Sequence, residues 1–584
     1  MKHAFGLRSM NWSDLRIILL SVLGSVICVA YFQTLDLMGF SSAHFAPIFQ
    51  VLLTVYDAQT AFLTVVVCVS AAFWRNPEPI LRMVDGLAVH PLRVVCTTVV
   101  LLALAAVFVY MRYPLSMDEY AAVFQSKIFA HGDIVAELPP SAVDWLVVPG
   151  FNGSFLLASR ETGRAIEEYW PGFALLLAPF QLVSAPWLCN PLLAGLAIYL
   201  IYSITLEITG NRRSAVWAML FALASTAFLA NAISYYSMQA HLTLNLLFAW
   251  LLLKPSTTRA CIAGAVGSMA LVLHNPVPHA LFALPWILGI ALSKEQRRFL
   301  IPLAAGYLPI SIALGCGWLY LRTTITGEAS GAAVMSGTAN AVLHLPDFTI
   351  LNMRIAGLAK MWVWAVPGLY LLALAGRLRH GEDRRVRLLA YSAMVTFCGY
   401  FFVILDQGHG WGYRYFHGAF GVIPILAGCA LTDRSESHSR LASFACAAVV
   451  LSLLVLVPFQ ANQIHGFISR HLAQLPPPRR PGNNVYFIQP GGGSYMADMI
   501  QIDPYLRAPD LLLASRGAVL DADLIRQNWP NAVKLRGGLW EEQWYLGPTD
   551  QRRSMPGKND TQFNIAFDPA VLSRPHTTPD GPSR

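Results

Sequence analysis

Thirteen apolar runs of about 16 to 23 residues divide this chain, each close to the ~20 residues that an α-helix needs to cross a bilayer. They fall near 15–35, 52–73, 94–111, 188–208, 215–232, 238–253, 261–275, 277–293, 299–321, 361–376, 388–405, 416–432 and 441–459. A chain so divided has few options, because backbone polar groups inside lipid must be satisfied within the segment itself. The fold class expected is a polytopic α-helical membrane protein of about 13 transmembrane helices, with external loops and a small C-terminal α/β domain. Composition agrees: 55% of the 584 residues are hydrophobic and 13% charged, with a mean hydropathy of +0.50.

The net charge of +8 does not point to nucleic acid, since the basic residues lie in short clusters between apolar runs and not along one face. With a cytoplasmic N-terminus, "GNRRS", "KPSTTRA", "SKEQRR", "GRLRHGEDRRVR" and "TDRSESHSR" all fall on one side, as the positive-inside rule asks. The opening "MKHAFGLRSMNWSDLR" is read as leading into a retained first helix, there being no small-residue cleavage site. The polar segments 112–187, 322–360 and 406–418 then lie outside, together with the C-terminal residues. Two spans occupy 1–93, the main helical region 94–459, an α/β domain 460–550 and a disordered tail 551–584. The nine cysteines show no paired spacing of a zinc or redox site.

The chemistry gathers at helix ends on the external side. Asp118 and Glu119 follow the third run directly. Acids at a membrane boundary are costly unless paired or solvated, so they are either functional or caps on the helix that follows. An ionised Asp accepts a proton from an attacking hydroxyl that comes within hydrogen-bond reach. Arg414, beside the run at 416–432, is suited to bidentate phosphate contact or to snorkelling; Arg354, Lys360 and Lys127 are weaker candidates, Lys127 lying two and a half helical turns after Asp118. Tyr235, Tyr236, Trp170 and Trp411 either stack on a sugar or mark the interface. His241, His274, His279, His409 and His417 lie near external helix ends without metal spacing. Glu167 and Glu168 either bind hydroxyls or are solvated acids. Asp57 stands mid-membrane or at the outer boundary of its run. The glycines of "QPGGGSYM" form an anion nest or an ordinary turn.

Four stretches in order, "DEYAAVFQSKIFAHGD", "EEYWPGFALLLAPFQLV", "ISYYSMQAHLTLNLLFAW" and "GYRYFHGAFGVIPILAG", resemble the external-loop and helix-entry motifs of the GT-C glycosyltransferases, which include protein O-mannosyltransferases and aminoarabinose transferases. The resemblance covers roughly 94–432. Two features depart from it: two additional spans precede the acidic loop, and no Lys stands just before Pro171, where some relatives carry one for the lipid phosphate.

The resemblance implies an inverting transfer of a sugar from a polyprenyl-phosphate donor to a glycan, lipid or protein acceptor, on the outer face of a bacterial-type inner membrane. Asp118 would be the base, with Glu119 orienting it. Arg414, with Lys127 and Arg354, would face the donor phosphate; Glu167, Glu168, Tyr235, Tyr236, His241 and Tyr415 would contact sugar or acceptor. No cofactor and no metal are expected, and the partners would be the lipid-linked donor, the acceptor and membrane lipid. The rival readings are a transporter or flippase of lipid-linked sugars, a glycan polymerase or ligase, and a non-catalytic membrane scaffold.

Overall fold

A computed structural model describes residues 12–37, 47–327, 345–403, 408–431 and 440–548. The expected tail at 551–584 and part of the segments 322–360 and 406–418 lie outside the described residues. The chain divides into two compact units: Met1–Val123, Tyr169–Thr323 and Glu328–Ser469 make the first, and Phe124–Glu168, Thr324–Gly327 and Arg470–Arg584 the second.

The first unit is helical. Six of its helices are long and apolar enough to cross a membrane: Asp14–Leu35, Ile48–Phe73, Pro91–Phe108, Pro186–Thr209, Arg297–Ile325 and Arg440–Leu472. The pair Arg212–Leu223 and Thr226–Ile233 adds a seventh if it is one span bent by 66°. The thirteen spans expected therefore reduce, among the described residues, to six or seven by length and composition. The other runs are helical but short. Met238–Leu253 and Val277–Leu292 have 16 residues each, the run at 361–376 is broken where Pro367 and Gly368 (φ 83°) interrupt the helix, and 416–432 divides into Arg414–Phe420 and Val422–Ala430. Apolar composition continues through each break, so hydropathy alone joins what backbone geometry separates.

Local chemistry sets several helix ends. Asn211 caps Arg212–Leu223 by accepting from the backbone N–H groups of Arg213 (2.9 Å) and Ser214 (3.4 Å). Gly210, with φ 64°, ends the helix before it. Lipid gives helices no hydrophobic reason to associate, so small residues decide how closely they pack. A Cβ on Gly264 would collide with the Leu303 carbonyl, and one on Gly306 with the Cys261 carbonyl, which holds Thr257–Leu271 against Leu300–Ile310 in backbone contact.

The second unit holds two sheets. The strands Ala136–Glu137, Leu156–Ala158 and Arg164–Glu167 form an antiparallel sheet with the last in the centre. A four-stranded sheet has the order Asp510–Ala514, Asn483–Ile488, Glu541–Gly547, Val533–Gly537; its first pair is parallel and the rest antiparallel, with the helix Ala518–Asn528 following Asp510–Ala514. Residues 124–168 and the C-terminal sheet pack as one body: Trp145 Nε1 donates to Asp521 Oδ1 at 2.9 Å, Arg516 pairs with Asp144 at 3.0 Å, and Val148 joins the core of Tyr486, Ile488, Met496 and Met499.

Candidate functional site

Three loops and one helix start of the first unit meet at Asp118. The helix Pro91–Phe108 ends in a turn in which Met111 and Arg112 are both left-handed (φ 57° and 53°), an uncommon conformation for residues with a Cβ. The Tyr235 hydroxyl donates to the Arg112 carbonyl at 2.9 Å and holds the turn. The chain then enters the helix Met117–His131, placing Asp118 and Glu119 in its first turn, where acids are favoured.

The second loop carries Tyr236. Asn190, 2% exposed, donates through Nδ2 to the carbonyls of Ser234 (2.8 Å) and Tyr236 (2.9 Å), fixing the turn between Thr226–Ile233 and Met238–Leu253. The third is the extended stretch at Tyr169. Trp170, Gly172 and Phe173 donate through their backbone N–H groups to the carbonyls of His274, Val272 and Leu273, and Trp318 Nε1 donates to the Tyr169 carbonyl at 2.8 Å. Arg414 follows the hairpin of His409–Gly410 and Gly412–Tyr413, whose turn uses Gly412 at φ 81°, and is the first residue of Arg414–Phe420.

These elements bring a carboxylate, a guanidinium and a phenol together. Arg414 Nη1 donates to Asp118 Oδ2 at 2.8 Å, with the two side chains 6% and 13% exposed. The Tyr169 hydroxyl donates to Asp118 Oδ1. The Tyr169 ring lies against His274, 3.9 Å between centroids. The Arg414 guanidinium sits over the Tyr236 ring at 4.6 Å, a cation–π geometry, and the Tyr236 hydroxyl is 3.0 Å from Ser116 Oγ.

Neighbouring acids are thus pushed in opposite directions. Burial raises Asp118, but Arg414, His274 and the bonds from Tyr169 and Arg414 outweigh it and leave the carboxyl below its ordinary value. Burial pushes Glu119 up to about 8, against the hydrogen bonds it accepts and the charge of Arg414. Near neutral pH the first is a carboxylate and the second largely an uncharged acid.

Glu119 is fully buried; it accepts from the Tyr110 hydroxyl at 2.5 Å and from the Leu115 N–H at 3.1 Å, so it secures the turn leading to Asp118. A raised carboxyl favours the fold below its unfolded value near 4.3 and loses that contribution as pH climbs through about 8. Thermal unfolding in detergent should therefore show stability falling between about pH 5 and 8. Glu119→Gln should flatten that fall; an unchanged slope in the variant would place the titration elsewhere.

The other expected residues separate. Arg354, 1% exposed, donates to the carbonyls of Tyr400 (2.8 Å) and Val403 (2.9 Å) and lies over the Tyr415 ring at 5.1 Å, while Tyr415 stacks on Tyr400. Arg354 and Tyr415 therefore hold a helix end, as cations near C-terminal carbonyls do. Lys360 pairs with Asp57 at 2.7 Å. His241 is 1% exposed on Met238–Leu253, and neither ring nitrogen has a hydrogen-bond partner among the described residues. His279 bridges Asn245 and Tyr307, at 2.7 Å to each. Lys127, Glu167 and Glu168 belong to the second unit: Lys127 lies 3.7 Å from Asp503, and Glu167 is 1% exposed with its backbone N–H donating to Gln125 Oε1 at 3.1 Å.

The glycine-rich stretch is a packed turn in which Gly492 abuts the Trp540 ring and the Ser494 N–H donates to Gln474 at 2.6 Å. Among the described residues no group of three or more His, Cys, Asp or Glu is arranged to hold a metal ion. An apolar cavity of about 320 Å³ lies between Pro91–Phe108, the bent pair and Arg440–Leu472, walled by Leu102, Ala105, Leu229, Ile233, Trp364 and Ile464.

Comparison with protein-family models and with curated proteins finds no match. Among solved structures, the chain is similar to ArnT from Cupriavidus metallidurans bound to undecaprenyl phosphate, with 16% identity, a TM-score of 0.48, and coverage of 77% of this chain and 97% of that one. The apo state of the same protein gives 15% identity and a TM-score of 0.47 over the same shares.

Proposed function

We propose that the chain is an inverting glycosyltransferase of GT-C type, moving a sugar from a polyprenyl-phosphate donor to a glycan, lipid or protein acceptor at the outer face of a bacterial-type inner membrane. The observation that carries this reading is the Asp118–Arg414 pair: a carboxylate and a guanidinium 2.8 Å apart, enclosed by Tyr169, Tyr236 and His274, immediately beyond an apolar helix long enough to cross a bilayer. Such a transfer needs a base for the acceptor hydroxyl and a cation for the departing phosphate. Both groups are present on neighbouring elements. The aromatic faces suit a sugar, and the apolar cavity suits a prenyl chain.

In this mechanism the acceptor oxygen attacks the anomeric carbon while its proton passes to Asp118. The bond from that carbon to the phosphate oxygen breaks, its electron pair staying on the phosphate, where Arg414 offsets the charge. Glu119 and Tyr235 hold the turn that presents Asp118; Asn190 holds the loop that presents Tyr236.

A transporter of lipid-linked sugars would concentrate polar groups at the midplane of broken helices. Mass spectrometry of cells lacking the gene separates these readings. We expect one polyprenyl-phosphate sugar to accumulate and one envelope sugar to disappear, with the native chain restoring both and Arg414→Ala neither. Full restoration by Arg414→Ala would remove the guanidinium from the chemistry.

A further inference from the structure

In the arrangement described, Asp118 is a weak base. Both carboxylate oxygens accept hydrogen bonds, Oδ1 from the Tyr169 hydroxyl and Oδ2 from Arg414 at 2.8 Å. Each oxygen keeps a second lone pair, so the restraint is electrostatic. A guanidinium 6% exposed is poorly screened by water, and it stabilises the carboxylate that would have to accept a proton. The same guanidinium is the cation this site offers to a phosphate. An arriving phosphate therefore meets a positive charge already compensated by Asp118.

We infer that the donor phosphate and Asp118 compete for Arg414, so that donor binding turns Asp118 into an effective base and precedes activation of the acceptor, with Tyr169 as the positioning residue that keeps the carboxylate aimed while Arg414 changes partner. The inference rests on the glycosyl-transfer reading above. Its logic is linkage: if the carboxylate weakens phosphate binding, bound phosphate raises the proton affinity of the carboxylate by the same factor. The base is strong when a donor is in place and weak otherwise, so an acceptor hydroxyl that reaches a site without donor keeps its proton.

Tyr169 is built to stay in place. Trp318 holds its carbonyl, its ring lies against His274, and the residues after it pair with 272–274, so its hydroxyl keeps Oδ1 when Arg414 leaves Oδ2. In the cycle the acceptor proton goes to Oδ2 and the phosphate keeps the electrons of the broken bond while paired with Arg414; when polyprenyl phosphate dissociates, Arg414 returns to Oδ2 and the proton passes to solvent. The other titratable groups that act on the pair are His274 and Tyr236 on both, and Glu119, Tyr415, Lys360 and His409 on Arg414.

The test uses the full chain in detergent and undecaprenyl phosphate as the probe, with binding measured for native protein, Asp118→Asn and Tyr169→Phe. Competition predicts that Asp118→Asn binds the probe about tenfold more tightly, the equivalent of ~1.4 kcal/mol. Equal or weaker binding by this variant, with native protein binding well, overturns the competition and leaves the functional reading standing. No binding by the native protein overturns both. Tyr169→Phe supplies an independent decision: kcat should fall at least tenfold with donor KM within about twofold, and the acidic limb of the rate profile should move to higher pH. A raised KM with unchanged kcat and an unmoved limb would make Tyr169 a packing residue and overturn its assignment.

Discussion

Asp118→Asn should lower sugar transfer by about 10²- to 10⁴-fold, the range that a positioned base contributes, with little change in the amount of folded protein. The substitution is close to isosteric. Its amide oxygen can turn to Arg414 and its NH₂ to the Tyr169 hydroxyl, which accepts as well as donates. What disappears is the negative charge and the basic lone pair. Removing one partner of a buried pair costs up to ~3–5 kcal/mol when the other charge is left bare. Here the amide dipole and the Tyr236 face still attend Arg414, so the structural cost should lie well below that bound. Single-turnover transfer with a saturating lipid-linked donor, alongside thermal unfolding of the same preparation, separates the two effects. Retention of more than a tenth of native activity would remove Asp118 from the role of base. Glu119→Gln is the matched control, since Glu119 bonds to Tyr110 and Leu115 and its loss should alter stability more than rate.

Asp118 and Arg414 were legible in the sequence because each is a charge at the end of an apolar run, where lipid makes any charge conspicuous. Tyr169 was not, although it lies between residues that were singled out. An aromatic at a membrane boundary is expected on interfacial grounds alone, and its partners Asp118 and Trp318 are 51 and 149 residues away. Glu119 was expected to orient Asp118, but how it would do so was not legible, because sequence shows adjacency and not direction: consecutive helical residues face different neighbours, and Glu119 turns to Tyr110 and the Leu115 N–H. The same rule separates Tyr415, which lies with Arg354 and Tyr400, from Arg414. Glu167, Glu168 and Lys127 fall in the second unit because 124–168 packs with a sheet built from 483–547. No local pattern announces that association; Trp145 reaches Asp521 across 376 residues. The thirteen apolar runs and the six or seven long apolar helices differ in number for a related reason. Pro367 and Gly368, or the bend between Leu223 and Thr226, interrupt a helix without interrupting its hydropathy.

Lys360→Met alone should destabilise the protein by about 3–5 kcal/mol, the cost of leaving a buried charge without its partner, and Asp57→Leu combined with it should recover most of that loss. Asp57 lies within Ile48–Phe73, at the end of the π-helical segment Leu52–Asp57, and is 1% exposed; Lys360 on Phe348–Val363 is fully buried. The pair is 2.7 Å apart, and Trp364 Nε1 donates to the second Asp57 oxygen at 2.7 Å. Asp57 thus stands within a helix long and apolar enough to cross a membrane, and it is paired, the condition under which membrane helices tolerate an acid. An apolar helix surface has many nearly equivalent ways to pack against a neighbour; a single acid facing a single amine selects one of them. The selection reaches further, because the Trp364 carbonyl accepts from the Ala227 N–H at 2.9 Å and from Thr226 Oγ1 at 3.2 Å, at the start of the helix that leads to Tyr236. A double-mutant cycle read by thermal unfolding in detergent should give a coupling above ~2 kcal/mol, larger than packing alone supplies. Additive losses would mean that the two charges are accommodated separately. In that case the N-terminal helices would be held to Phe348–Val363 by shape, through contacts such as Gly24 against the Trp362 ring, and not by charge.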